Sequence, residues 1–239
     1  MTKRLLVLGG SGFVGKAICR ESIRRGWTVT SLNRSGAPTN AAVDPLLSKV
    51  QWSSGDALDS SLYPALLATH DYVIHAIGIL FESSNPFQKS SVNYSRSYRA
   101  LIRDSTEIAL KESAKADVRA FGYISAARFG ALGSAILPEY MRMKAEAEAL
   151  LMASNVRTVT VRPGFIYGAD RPMTIPISYG VRIMSLFTAG LFPKPIAVES
   201  VARAMLNEIS RETDDNNPVI LEGENLSRVA AEISTYSVH

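Results

Sequence analysis

An α/β chain built on a doubly wound parallel sheet follows from three features of the sequence. Short apolar runs recur at strand length, segments with helical spacing separate them, and the first run ends in a glycine-rich turn. The runs fall at 5–8, 28–32, 50–52, 72–76, 120–125 and 158–161, and the helix-like segments at 16–25, 61–68, 94–114 and 140–154. This alternation predicts a sheet covered by helices on both faces. With 239 residues, 46% of them apolar, the chain can bury a sizeable core, which excludes disordered and fibrous classes. After Gly168 the pattern changes: Pro172, Pro176, Pro193 and Pro195 punctuate a largely apolar stretch at 175–192, followed by a helix-like segment at 198–210 and a last strand at 219–221. The expected division is therefore a nucleotide-binding domain at 1–168 and a small C-terminal substrate or lid region at 169–239. In the latter, 169–197 forms the lid, and the helix and strand return to the main domain.

The turn reads Gly9-Gly10-Ser11-Gly12-Phe13-Val14-Gly15, directly after Leu5-Leu6-Val7-Leu8. Strand, glycine turn and helix start in that order make a dinucleotide pyrophosphate site of Rossmann type. Gly9 lets the chain turn, Gly12 lets the backbone approach the phosphates, and Gly15 lets the helix press inward. The unpaired amides of the helix start, at Phe13 and Val14, face the anion. A plain tight turn is the competing reading, disfavoured by the motif's position between an N-terminal strand and a helix.

At the end of the second strand an Asp or Glu would bind ribose hydroxyls and repel a 2′-phosphate. The chain has Asn33-Arg34-Ser35 instead. Arg34 can fork onto that phosphate and Ser35 can donate to it, which favours NADP(H) over NAD(H), with an ordinary solvated arginine as the alternative. After the third strand, Asp56 is placed to accept from the adenine amino group, while Asp59 or Ser60 offers a competing helix cap in the same acidic neighbourhood. In the fourth strand, Ala76 and Gly78 are small enough to pass beneath the cofactor. His75 reads as a hydrogen-bonded core histidine, since no second His, Cys or acidic cluster stands at metal spacing.

Tyr140 and Lys144 lie four apart in a helical segment and so share a face. An ammonium there is expected to draw the phenol pKa toward neutrality and make Tyr140 a proton donor or acceptor. Ser125, at the exit of the fifth strand, can hold a substrate oxygen, or merely cap the following turn.

The 26 Lys and Arg against 22 Asp and Glu give a formal charge of +4, spread along the chain without a nucleic-acid stripe. The single cysteine, Cys19, excludes an internal disulfide and reads as a small core residue. No apolar run reaches the length of a membrane span. Lys3 and Arg4 lead directly into the first strand, leaving little room for a cleavable targeting peptide.

Taken in order, Gly9-x-x-Gly12-x-x-Gly15, Gly55-Asp56, His75-Ala76-Ile77-Gly78, Tyr123-Ile124-Ser125-Ala126, Tyr140-x-x-x-Lys144 and Val161-Arg162-Pro163-Gly164-Phe165-Ile166-Tyr167-Gly168 resemble the extended and atypical short-chain dehydrogenase/reductases. The finer pattern, including Ile79-Leu80 and Lys144-x-Glu146-Ala147-Glu148, is similar to the mitochondrial NAD(P)-binding oxidoreductase-like proteins of fungal coenzyme Q biosynthesis. Nucleotide-binding accessory subunits of respiratory complex I are more distant. The resemblance implies Ser125, Tyr140 and Lys144 as the catalytic trio, with Lys144 also touching cofactor, Ala57 joining Asp56 at adenine, and Pro163 and Gly164 beside the nicotinamide. It further implies a quinone-precursor substrate and a place on the matrix side of the inner mitochondrial membrane, with the cytoplasm as the alternative. Extended members carry a longer C-terminal domain than the stretch that follows Gly168, so the lid is small or supplied by a partner.

Two functions meet these observations: a hydride-transferring enzyme, or a nucleotide-binding scaffold docked onto a membrane-associated protein complex. The stretch 175–192, with Tyr179, Met184, Leu186, Phe187 and Phe192, is the expected docking surface, substrate pocket or core-facing closure. A cleft plugged by 81–87 or by the C-terminal tail would mark the scaffold.

Overall fold

A computed structural model describes residues 2–78, 97–127, 137–187, 194–213 and 215–232. Seven parallel strands form one sheet: β1 (Arg4–Leu8), β2 (Thr28–Asn33), β3 (Gln51–Ser54), β4 (Tyr72–His75), β5 (Ala120–Ile124), β6 (Thr158–Arg162) and β9 (Val219–Glu222). Their order is β3-β2-β1-β4-β5-β6-β9, so the winding reverses between β1 and β4 and opens a crevice at the carboxyl ends of those strands. This is the doubly wound Rossmann-like fold expected.

Successive side chains of a strand point to opposite faces, and β1 divides its apolar run accordingly. Leu5 and Val7 join Ile18 of α1 (Phe13–Arg24), Val201 and Met205 of α6 (Val198–Ile209), and Val229 of α7 (Gly223–Ala231). On the other face, Leu6 and Leu8 join Tyr63 of α2 (Tyr63–Leu67), Ala109 of α3 (Ser105–Lys115), and Met143 and Leu151 of α4 (Pro138–Met152). A π-helical turn, Arg99–Asp104, runs straight into α3. The observed bounds shift from those expected; α1 begins on Phe13, three residues early, because the turn feeds the helix without a linker, and α3 begins only at Ser105, after the π-helical turn. The expected helix at 94–114 is described from residue 97 onward, and 79–80, 81–87, 192 and the C-terminal tail lie outside the described residues.

Two elements were not anticipated. One is α7, which begins on Gly223 at φ +57° and buries Leu226, Val229 and Ala230. The other is a two-residue parallel pair, β7 (Ile166–Tyr167) with β8 (Ile196–Ala197). It brackets the excursion that carries α5 (Thr174–Phe187) and hands the chain back to α6, α7 and β9.

A buried arginine ties three elements at the far side of the sheet. Arg162 donates from Nε and Nη2 to the two carboxylate oxygens of Glu148 on α4, at 3.0 and 2.5 Å, and from Nη1 to Glu222 at 3.1 Å. A forked pair of this kind leaves a stranded charge when one partner is removed. Glu148→Ala is expected to lower unfolding stability by about 3 kcal/mol in urea titrations. The apolar double variant Glu148→Met/Arg162→Met should recover most of the loss.

Candidate functional site

The glycine turn is held from both sides. Gly9 sits at φ +85°, a conformation that favours glycine, and a Cβ on Gly15 would stand 2.2 Å from the Gly9 carbonyl oxygen. Helix α1 is therefore pressed onto the turn itself, closer than the expected packing against the sheet. Gly12 caps α1 without any side-chain hydrogen bond, and the first amide to pair within the helix is Lys16 N, to Gly12 O at 2.9 Å. The amides of Phe13, Val14 and Gly15 precede that bond and point out of the helix start. Around Gly12 a Cβ would meet nothing closer than the Gly9 carbonyl at 3.2 Å, so the space over this residue is open to a ligand.

Beneath the turn lies a polar shelf that sequence reasoning missed. Ser31 Oγ accepts from Gly10 N at 3.1 Å and donates to Val7 O at 3.1 Å; Asn33 Oδ1 accepts from Ser11 N at 2.9 Å and its amide donates to Ser31 Oγ at 3.0 Å. Two polar residues at alternate positions, Ser31 and Asn33, at the end of β2 were the available signal.

The cleft at the ends of β1 to β4 is lined by Gly9, Gly12, Arg34, Ser35, Asp56, Ala57, Ala76 and Gly78, all expected there. Asn33, Ile77, Leu101 and Ser105 join them. Asp59 takes the capping role, accepting from Ser61 N at 3.0 Å, while Asp56 lines the cleft and receives Leu58 N at 3.0 Å. His75 is buried and Nε2 lies 2.8 Å from Ser105 Oγ, which itself donates to Leu101 O. That network assigns the proton to Nε2. Burial, with Lys144 adding to it, pushes the imidazole pKa down to about 3, so His75 is a neutral core group as read from the sequence.

Ser125, Tyr140, Lys144, Pro163 and Gly164 lie outside this lining, at the ends of β5 and β6. Backbone bonds from Ser125 N to Val161 O at 2.8 Å and from Ala127 N to Pro163 O at 2.9 Å hold the two strand exits together. Lys144 Nζ donates to Ile124 O at 2.7 Å and stands 4.7 Å from the Tyr123 ring centre and 5.8 Å from that of Tyr140. Ser125 Oγ is buried without a hydrogen-bond partner. An orphaned hydroxyl next to a strand exit fits a ligand oxygen.

The electrostatics differ from those expected. Burial, reinforced by Tyr98 packed edge-on at 5.6 Å, pushes the Tyr140 phenol up to about 12. Burial also pushes Lys144 down to about 7, against the pull of Glu148. The lysine spends its donor on a backbone carbonyl and faces the tyrosine's ring, so desolvation governs both groups.

Arg20 of α1 reaches two loops, with Nε 2.8 Å from Asp44 and Nη1 2.6 Å from Asp170, and Lys16 Nζ lies 3.4 Å from Asp170. The neighbouring Arg171 guanidinium stacks 4.8 Å from the Phe13 ring centre. Among the described residues no group of three or more His, Cys, Asp or Glu is placed to hold a metal, and no helix is long and apolar enough to cross a membrane.

Comparison with known proteins decides the family. An NAD(P)H-binding domain family matches residues 9–212, from the glycine turn to the end of α6. The chain belongs to this NAD(P)H-binding family. It is 30% identical over 233 residues to MIOREX complex component 2 of Saccharomyces cerevisiae, covering 80% of this chain and 82% of the yeast protein. An uncharacterized chloroplastic protein of Arabidopsis thaliana is 31% identical over 168 residues, 70% of this chain and 52% of the plant protein, so the chain spans about half of that relative. Among solved structures, the Bordetella bronchiseptica enzyme WbmF in complex with NAD+ superposes with a TM-score of 0.64 at 17% identity, over 95% of this chain and 77% of its own. A UDP-galactose 4-epimerase gives 0.64 at 18%, over 91% and 76%. These likenesses show the fold.

The unfolded lysine keeps its proton up to about 10.5 and the folded Lys144 releases it near 7, so between those values the unfolded state binds more protons and stability rises with pH. The unfolding free energy of the wild type minus that of Lys144→Met is expected to grow by up to about 1 kcal/mol per pH unit from pH ~7 to ~9, measured by urea titration.

Proposed function

We propose that the chain is an NADP(H)-dependent oxidoreductase of the short-chain dehydrogenase/reductase type, acting on the carbonyl of a quinone-precursor ring. The observation that carries this reading is the orphaned Ser125 hydroxyl, adjacent in sequence to the Ile124 carbonyl that anchors Lys144, with Tyr140 one helical turn from that lysine. The pyrophosphate falls to the amides of Phe13, Val14 and Gly15, the adenosine end to Arg34, Ser35, Asp56 and Ala57, the ribose to Ala76 and Gly78, and the nicotinamide side to Pro163 and Gly164. Bound there, a nicotinamide supplies or accepts a hydride.

The protein's own part is the proton. Ser125 Oγ donates a hydrogen bond to the substrate oxygen, and Tyr140 Oη gives that oxygen its proton. Burial keeps the phenol protonated at neutral pH, which is the form that carbonyl reduction consumes. Lys144, poised near 7, is the group able to return a proton to the tyrosine side of the site. NADP(H) is favoured because β2 ends in Asn33, without a carboxylate, and exposed Arg34 and Ser35 line the cleft beside it.

A second reading is a nucleotide-binding scaffold within a membrane-associated organellar assembly. Its support is the yeast relative's name as a complex component, together with the lysine's bond to a backbone carbonyl. The mitochondrial matrix side is the proposed location.

Tyr140→Phe separates the two readings. The enzyme reading expects a loss of about 10²–10⁴-fold in NADPH-dependent reduction of a benzoquinone, with NADPH affinity unchanged by calorimetry. Undiminished turnover would overturn it. Arg34→Ala is expected to weaken NADPH binding by about 10- to 100-fold and leave NADH binding unchanged in fluorescence titrations.

A further inference from the structure

The first two turns of α5 are built inside out. The stripe turned toward the protein, at i, i+4 and i+7, consists of Thr174, Ser178 and Val181; Ser178 is only 7% exposed, and its hydroxyl is satisfied within the helix by Ile175 O at 2.6 Å. The side chains turned to the outside are apolar: Met173 is 80% exposed, Ile175 37%, Ile177 50% and Tyr179 65%. Amphipathic helices of soluble domains arrange these classes the other way round. Four large apolar side chains of the described residues therefore stand together in one short stretch, where isolated exposed ones are the rule.

Charge in the same region is equally one-sided. From Arg171 to Val198 the sequence holds Arg171, Arg182 and Lys194 and no acidic residue, so this stretch contributes three of the chain's formal net charge of +4. The remaining residues are close to balanced. With 14 residues, α5 spans about 21 Å, too short to cross a bilayer and suited to lying along its surface.

We propose that α5 and the turn leading into it form a docking surface for an anionic phospholipid bilayer. Met173, Ile175, Ile177 and Tyr179 enter the interface between headgroups and acyl chains, and the positive charge of the stretch favours an anionic lipid surface. The apolar side chains extend around much of the helix circumference, which suits immersion in lipid more than seating in the narrow groove of a protein partner. The surface adjoins the nucleotide site through Arg171, which stacks on Phe13 at the helix start. A substrate drawn from the bilayer would thus reach the cleft without crossing water.

The test is sedimentation of the full chain with vesicles of phosphatidylcholine alone and of phosphatidylcholine doped with phosphatidylglycerol, at low and high salt. Binding to the anionic vesicles that weakens with salt, and falls at least ~10-fold in Ile177→Ser/Tyr179→Ser, is the expected result. NADPH affinity and the thermal midpoint should not change in that variant, because both side chains are exposed. Failure to sediment with either vesicle would overturn the proposal, as would equal partition onto neutral and anionic lipid. A concentration-dependent dimer that the same double variant abolishes would assign the surface to a second copy of the chain instead.

Discussion

The approach of α1 to the end of β1 is the constraint on which the rest of the molecule depends. Because Gly15 lies against the Gly9 carbonyl with no room for a methyl group, the helix start is held close to the strand end, and the amides of Phe13, Val14 and Gly15 precede the Lys16 N to Gly12 O bond at the mouth of the crevice. Ser31 and Asn33 complete the arrangement from below by occupying the amides of Gly10 and Ser11. The turn is thereby divided: its first half is satisfied by Ser31 and Asn33, and its second half leads into the amides that precede the first bond of α1. Without the shelf, four or five adjacent donors would compete for one ligand and the turn would have no single conformation.

The same economy governs the far end of the cleft, where burial is used to shift proton equilibria. Tyr140 and Lys144 share a helix face, yet the lysine is anchored to Ile124 and lies across aromatic rings. Removing both groups from water raises one pKa and lowers the other, so the phenol holds its proton at neutral pH while the amine is brought far closer to releasing its own. Glu148 opposes the effect on the lysine while its carboxylate stays locked to Arg162. One helix thus carries Tyr140 and Lys144 and, a turn further on, Glu148, whose ion pair with Arg162 joins the helix to β6.

Much of this was readable from the residues, and the parts that were not share a cause. The glycine turn announced itself because each glycine answers a local steric demand, and Arg34, Asp56 and Gly78 followed from their places at strand ends. The parallel, doubly wound sheet followed from the alternation of runs and helical segments. Ser31 and Asn33 escaped notice because their importance lies in which amides they meet, and those amides belong to a different strand exit. The shift at Tyr140 was anticipated with the wrong sign: spacing along a helix places the lysine nearby but carries no information on how far both groups are withdrawn from solvent. Helix α7 was hidden by Gly223, whose positive φ starts the helix where glycine usually ends one. The inverted polarity of α5 could not be read from apolar content alone, since a buried helix and an outward-facing one have the same composition.

The short β7–β8 ladder has a consequence for how the protein can vary. The chain leaves the ladder at Gly168 and rejoins it at Ile196, whose N bonds to Phe165 O at 2.9 Å, while Asp170 and Arg171 tie the departing end to α1 through Arg20 and Phe13. The excursion behaves as a cassette plugged into a fixed socket. Segments of other lengths can be exchanged beyond Arg171 at little entropic cost, as long as Asp170 and Arg171 keep their contacts with Arg20 and Phe13 of α1.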